Sequence, residues 1–367
     1  MSLIKFLFRL AFVCGALLPV CGFSHAADPE NPIEEPEHAR IYRNPEERRE
    51  AGLGTQITDW LSVSGLLEIE RERSDQFYSN NIDFTDDPGS VYTLQLGLDL
   101  EFSESVAAEV VFESEHNKKR THSMVDEALL AASFEPWGFE AGRLYVPFGE
   151  YYSHFVTGPL LEFGETRADA IVVDYTIADA VEIAAYVFDG NVAEPNKSRS
   201  TDWGINFDYS SEDESVRLGV GYLSDLAESD ERFLSEFANV SERAVPAWNA
   251  YALFGSYPYE VTAEIVKAAK TFVEFDEQEN SPSAYNVEFA YFPVPTTQFA
   301  IRFEGSDEFS EEPENQWGVN FTWRPNDLMS LSLDYLKGRY RNGFVVDDDD
   351  NELRDQNEIA FQLAVEF

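Results

Sequence analysis

Acidic and amide side chains on alternate positions of successive segments are the chemistry-bearing feature of this 367-residue chain. Ser62, Ser64, Glu68 and Glu70 recur at even spacing. So do Glu109 and Glu113, Gly204, Asn206 and Asp208, Asn286 and Glu288, Gln298, Arg302 and Glu304, and Gln316, Asn320 and Thr322. Charges repeated on one face of extended segments are tolerable only against water. They point to a wet channel that sorts ions rather than to bond-making chemistry. A second group sits in 148–168, where Tyr151, Tyr152, His154, Glu162, Glu165 and Arg167 lie among glycines and aromatics, with Arg143 just before. Loops on an outer surface are normally polar. This one carries few acids, so it is expected to fold inward and narrow a pore. Arg143, Tyr151, Tyr152, His154, Glu162, Glu165, Arg167 and Arg302 are then the expected constriction and ligand contacts. The alternative is a loop packed on its neighbours at the rim.

Nothing in the chain supports catalysis, and a non-enzyme with no cofactor and no metal is expected. His38, His116, His122 and His154 show no metal-ligand pair at helical spacing, and there is no nucleophile elbow. Ser153 and His154 are chain neighbours, and neighbouring side chains of an extended segment point apart. Asp347 to Asp350, followed by Asn351 and Glu352, could hold a hard cation through oxygen ligands. They lack the loop glycine of an EF-hand, and such runs are more often solvated tips.

The elements that must position these groups are strands. From Trp60 onward, segments of period-two alternation recur, each followed by a turn. Tyr92, Leu94, Leu96, Leu98, Leu100 and Phe102 share one face; Thr93, Gln95, Gly97, Asp99 and Glu101 share the other. Sixteen such strands are expected between 61–72 and 356–367, among them 181–189, 247–256 and 298–307. Short connections such as 103–105, 135–138 and 324–327 alternate with mostly longer ones, including 73–89, 148–168, 225–246 and 340–355. Short turns at one end, long loops at the other and an even strand count are what a transmembrane barrel requires. Closing the sheet also removes every unpaired edge, as a bilayer demands. Trp60, Trp137, Trp203, Tyr259, Trp317 and Trp323 fall near strand ends, where an interfacial aromatic girdle would lie.

The compartment is consistent with this reading. Lys5 and Arg9, the apolar run Leu10 to Val20 and Ser24-His25-Ala26 read as a signal peptide over 1–26. Both cysteines, Cys14 and Cys21, lie within it, which leaves no disulfide or thiolate chemistry beyond. Residues 27–59, with Pro29, Pro32, Pro36 and Pro45, read as a short periplasmic lead, and 60–367 as the barrel. The expected charge after removal of the signal is −45, from 24 Lys and Arg against 69 Asp and Glu. That sign excludes a nucleic-acid-binding surface. It fits a cation-favouring lumen, acidic loops beside lipopolysaccharide or a salty habitat.

Three blocks carry a family resemblance: EERREAGLGTQITDWLSVSGLLEIE over 46–70, the run from Val125 to Tyr175 that contains GRLYVPFGEYYSHFVTGPLLEFGETRADAIVVDY, and the terminal Phe367. Together they resemble the LbtU family of outer-membrane siderophore porins. The resemblance implies a porin-like barrel that takes up an iron–siderophore without a TonB-type plug, by binding and diffusion. Carboxylate siderophores are anionic, so Arg143, Arg167, Arg217, Arg302 and Arg339 are the candidates to offset so acidic a lumen. The alternative is a general cation-favouring porin for small hydrophilic solutes. An outer-membrane enzyme such as a protease or phospholipase is the least favoured reading. The expected fold is all-β, an antiparallel barrel of about sixteen strands in the outer membrane of a Gram-negative bacterium. Its expected partners are membrane lipid, lipopolysaccharide, small solutes, and the barrel-assembly machinery through Phe367. Whether it forms a homo-oligomer is left open.

Overall fold

In the computed structural model the described residues are 55–367, apart from 81–82, 179, 191, 193–200, 230–233, 235–241, 276–279, 310–311, 327 and 347–350. The expected signal peptide, nearly all of the expected lead and the Asp347 to Asp350 run lie outside them.

Alternation along the chain becomes a ring of antiparallel strands. A short β1 (Thr55–Thr58) precedes β2 (Leu61–Tyr78), β3 (Asp83–Ser103), β4 (Val106–His116) and β5 (Thr121–Phe134). These are followed by β6 (Trp137–Tyr145), β7 (Arg167–Ile177), β8 (Val181–Asp189) and β9 (Thr201–Ser210). The far side comprises β10 (Val216–Leu223), β11 (Ala247–Ser256), β12 (Tyr259–Ala268) and β13 (Ser283–Val294). It ends with β14 (Thr297–Asp307), β15 (Asn315–Asn326), β16 (Met329–Arg339) and β17 (Leu353–Glu366). Each strand from β2 onward pairs with the next, and β17 returns to β2 through pairs such as Leu363↔Ile69. The result is a closed barrel of sixteen strands, β2 to β17.

The two faces separate as the sequence pattern requires. Leu94, Phe139, Ile171, Val220, Ile301 and Phe361 stand exposed on the outside. Ser64, Asp99, Asn206, Asn286, Gln298 and Asp334 are buried on the inside. Trp60, Trp137, Trp203, Tyr259, Trp317 and Trp323 are exposed near strand ends. Outside a bilayer an apolar outer belt of this extent would be an aggregation liability, whereas lipid satisfies it.

Two boundaries differ from expectation. The segment 73–89 is not a loop: β2 and β3 continue as a hairpin to Tyr78 and from Asp83, giving strands of 18 and 21 residues. A tilted strand needs only about 9–11 residues to cross hydrocarbon, so this hairpin runs on into solvent. Polar pairs line its walls. Arg71 Nη2 lies 2.7 Å from Asp87 Oδ2, and Thr85 Oγ1 donates to Asp75 Oδ1 at 2.7 Å. The last residues of the expected lead are also structured, since β1 pairs with Leu61 to Val63 at the start of β2.

The seam closes on Phe367. Gly65 N–H donates to Phe367 O (2.7 Å), and Phe367 N–H donates to Gly65 O (3.0 Å). The Phe367 ring occupies the space a Cβ on Gly65 would take, so any larger residue there must displace the ring. Deleting Phe367, or replacing Gly65 with Val, should lower the yield of heat-modifiable folded barrel on unheated gels, with normal conductance in the channels that do form. Normal yield with weakened conductance would contradict this role for the seam.

Candidate pore and its inward loop

The inner face of β14 reads Gln298, Ala300, Arg302, Glu304 and Ser306, every one buried. Arg302 is fully buried, and a guanidinium in that position is tolerated only if its donors are matched. All five are matched. Nε donates to Glu288 Oε1 (2.9 Å). Nη1 donates to Gly158 O (3.0 Å) and Glu304 Oε1 (3.3 Å). Nη2 donates to Thr157 O (2.8 Å) and also meets Ser153 Oγ. The guanidinium carbon sits 4.2 Å from the centre of the Phe155 ring. Three of these partners and the ring belong to the 146–166 connection between β6 and β7, hereafter the inner loop.

Other wall carboxylates satisfy the amides that this loop cannot pair within a sheet. Glu264 on β12 accepts from Glu150 N–H (2.9 Å) and Tyr151 N–H (2.8 Å). Glu288 on β13 accepts from His154 N–H (2.8 Å) and Ser153 Oγ (2.6 Å). Glu304 accepts from Leu160 N–H (2.8 Å), and Asp334 on β16 from Val156 N–H (2.7 Å) and Thr157 N–H (3.1 Å). The loop therefore lies along the inner faces of β12 to β16. Its apolar side chains take the other share of the contact: Phe148, Tyr151, Leu161 and Phe163 pack with Leu144, Ala170, Ala184, Tyr186, Leu223 and Val266. Phe155 packs with Ala290, Phe292, Ala300 and Leu336. Gly318 on β15 leaves the room this ring needs, since a Cβ there would stand 2.8 Å from Phe155 Cε1.

His154 is held between two acids. Nδ1 lies 2.9 Å from Glu288 Oε2, and Nε2 lies 3.0 Å from Glu260 Oε1 in an ionic approach rather than a directed hydrogen bond. Burial pushes the imidazolium pKa down, but Glu260 and Glu288 outweigh it and lift the pKa to about 9.

The expected site residues separate into three groups. Tyr151, Tyr152 and His154 lie in the inner loop, Tyr151 and His154 buried, and the Tyr152 ring stands edge-on to His154 at 5.0 Å. Glu162 and Glu165 are half-buried around the 3-10 turn Leu160–Gly164. Arg302 anchors the loop from beneath and is shut off from the lumen. Arg143 and Arg167 do not join them. Arg143 pairs with Asp169 and Arg167 with Tyr145, on the face of Ile171, which is 56% exposed on the outside. Arg167 forms its ion pair with Asp126. Arg339, also counted as a counter-charge, lies exposed on the outer face of β16, while Arg217 faces inward and pairs with Glu150 at 2.8 Å. Glu260, Glu264 and Asp334 were missed as loop anchors. Their signal was the alternation of Glu260, Thr262 and Glu264 with Val261, Ala263 and Ile265, and of Ser330, Ser332 and Asp334 with Leu331, Leu333 and Tyr335.

The wall away from the loop is acidic. Glu68, Glu70 and Glu72 on β2 pair across with Ala364, Gln362 and Ala360 of the β17 inner face. Asp99 and Gln95 on β3 pair with Glu109 and Glu113 on β4. Gln362 Nε2 donates to Glu70 Oε1 (2.6 Å) and Gln95 Nε2 to Glu113 Oε2 (3.0 Å). Among the described residues, no lysine or arginine occupies an inner-face position of β2, β3 or β4.

Solved structures share this architecture. The outer membrane channel DcaP of Acinetobacter baumannii superposes with a TM-score of 0.59 at 13% identity, covering 86% of this chain and 99% of that one. Salmonella typhi OmpF, solved in complex with daunomycin, gives 0.56 at 11% identity over 84% and 97%. A mutant of the Rh. blastica porin gives 0.54 at 11% identity over 84% and 100%. These neighbours are channels, not enzymes, and at such identities they show the fold alone. A UPF0422 protein of Coxiella burnetii (strain RSA 493 / Nine Mile phase I) is 30% identical over 169 residues. That match covers 42% of this chain and 36% of the relative, so the chain spans about a third of that protein's length. No family model matches. The chain has the fold of a porin-like outer-membrane β-barrel.

Replacing Arg302 with Met should strand Glu288 and Glu304 and destabilise the barrel by about 3–5 kcal/mol, seen as a lower denaturation midpoint. It should also raise single-channel conductance and noise as the loop loosens. Unchanged conductance would mean the apolar contacts alone hold the loop. His154 adds a pH dependence. Its folded-state pKa lies above the ordinary 6.5, so its stabilisation is complete below about 6.5 and is lost as pH rises through about 9. Current noise should therefore grow between those values in wild type but not in His154→Gln.

Proposed function

We propose that this chain is a passive, cation-preferring channel for small hydrophilic solutes, narrowed by the inner loop. The observation that carries the reading is the division of charge inside the barrel. Carboxylates line the β2, β3 and β4 wall. Of the arginines weighed as counter-charges, Arg302 is sealed behind the loop, Arg217 is paired with Glu150, Arg167 is paired with the buried Asp126, and Arg143 and Arg339 stand at outward-facing strand positions. A conduit walled by one sign of charge concentrates ions of the other. The loop's Glu162 and Glu165 add the same sign from the opposite side. The siderophore cargo implied by the family resemblance fits this wall only as a neutral or cationic complex.

Planar-bilayer recordings across a potassium chloride gradient test the proposal. The reversal potential should show potassium preferred over chloride, and the preference should shrink in a Glu68→Gln, Glu70→Gln, Glu113→Gln triple variant. Chloride preference in wild type, or an unchanged ratio in the triple variant, would sink it. Arg143→Ala and Arg167→Ala should leave the ratio where it is, because Arg167 is neutralised by the buried Asp126 and Arg143 stands at an outward-facing strand position. Block of the current by a ferric siderophore at low concentration would reinstate a dedicated uptake role.

A further inference from the structure

Away from the pore, three buried carboxylates meet at the long-loop end of the barrel. Asp202 opens β9, Asp225 follows β10, and Glu228 closes the 3-10 turn Leu226–Glu228. One carboxylate oxygen of each lies within 4.8 Å of the others. The protein engages only part of the set. Ser224 Oγ donates to Asp202 Oδ1 (2.8 Å), and Val192 N–H donates to Glu228 Oε1 (2.9 Å). Asp225 Oδ1 accepts from Ala227 N–H (3.1 Å) and Val245 N–H (3.0 Å). Asp202 Oδ2 receives no donor, although the residue is only 6% exposed.

That oxygen is the second and independent sign of a ligand. A buried carboxylate oxygen without a donor costs free energy, and two further acids beside it add repulsion. A cation between the three would remove both penalties.

We propose that Asp202, Asp225 and Glu228 bind a hard divalent cation, with calcium the ion that fits. Every donor is a carboxylate oxygen, with neither imidazole nor thiolate in the set, which selects hard cations over transition metals. Calcium accepts an irregular shell of six to eight oxygens, whereas magnesium demands a regular octahedron and gives up its waters reluctantly. Ser229, next in the chain after Glu228, is also buried, and its Oγ has no hydrogen-bond partner. The ion would fasten β9, the β10–β11 connection and, through Val192, the β8–β9 connection to one another. The proposal does not depend on which solute passes through the pore.

Terbium, a luminescent calcium probe, tests it in the full refolded chain after chelation, with Trp203 beside Asp202 as the sensitiser. Wild type should show a saturable signal that calcium displaces more readily than magnesium. Asp202→Asn and Glu228→Gln should each weaken that affinity by at least an order of magnitude, with conductance and heat-modifiable mobility unchanged. In wild type, calcium should also slow proteolysis within 224–246. Equal terbium affinity in wild type and both variants, absence of a calcium-displaceable signal, or proteolysis indifferent to calcium would each overturn the site.

Discussion

A buried guanidinium organises the interior of this barrel. A ring of sixteen strands is too wide for wall side chains to fill, and the inner loop occupies the side along β12 to β16. That loop has no strand partner and depends on acceptors supplied by the wall. Arg302 draws Ser153, Thr157 and Gly158 to β14 and at the same time neutralises Glu288 and Glu304, which bind the loop's amides. The acids alone would repel one another, and the arginine alone would be an unmatched buried charge. Together they set the position of the loop.

The same residue type consequently does two jobs in one lumen. On β12 to β16 the inward acids are buried and used up by backbone N–H groups, His154 and Arg302. On β2, β3 and β4 they line the wall the loop leaves uncovered. Small residues follow the first pattern: Ala170, Ala184, Ala284, Ala290 and Ala300 occur where the loop packs. The barrel is thus a packed core on one side and a conduit on the other. The proposed cation preference rests on that asymmetry more than on the net charge.

Much of this was legible beforehand. Period-two alternation located all sixteen barrel strands, two of them (181–189 and 247–256) to the residue, because each inward-to-outward change is forced by lipid on one side and water on the other. The 148–168 composition marked a loop unlike the others. What the sequence did not disclose was which acids would meet the loop, since Glu264 and Asp334 lie 113 and 177 or more residues from the amides they accept. Arg143 and Arg167 lie beside the loop in the chain, but strand parity separates Arg143 from it, since Trp137, Phe139 and Ala141 share its outward face, and Arg167 turns to Asp126. The solvent-standing part of the β2–β3 hairpin is not legible in the sequence because its few apolar residues, Phe77, Tyr78 and Phe84, do not form an alternating stripe.

The seam between β17 and β2 has a kinetic consequence. Leu363 and Ile69 are partners across almost the full sequence of the barrel, so theirs is the pairing with the greatest loop-closure entropy and the last to become favourable. Until it forms, the growing sheet has two open edges, each a template for another chain. The Gly65–Phe367 exchange of hydrogen bonds then acts as a latch on a slow step: it marks the moment when an aggregation-prone sheet becomes a surface with no edge.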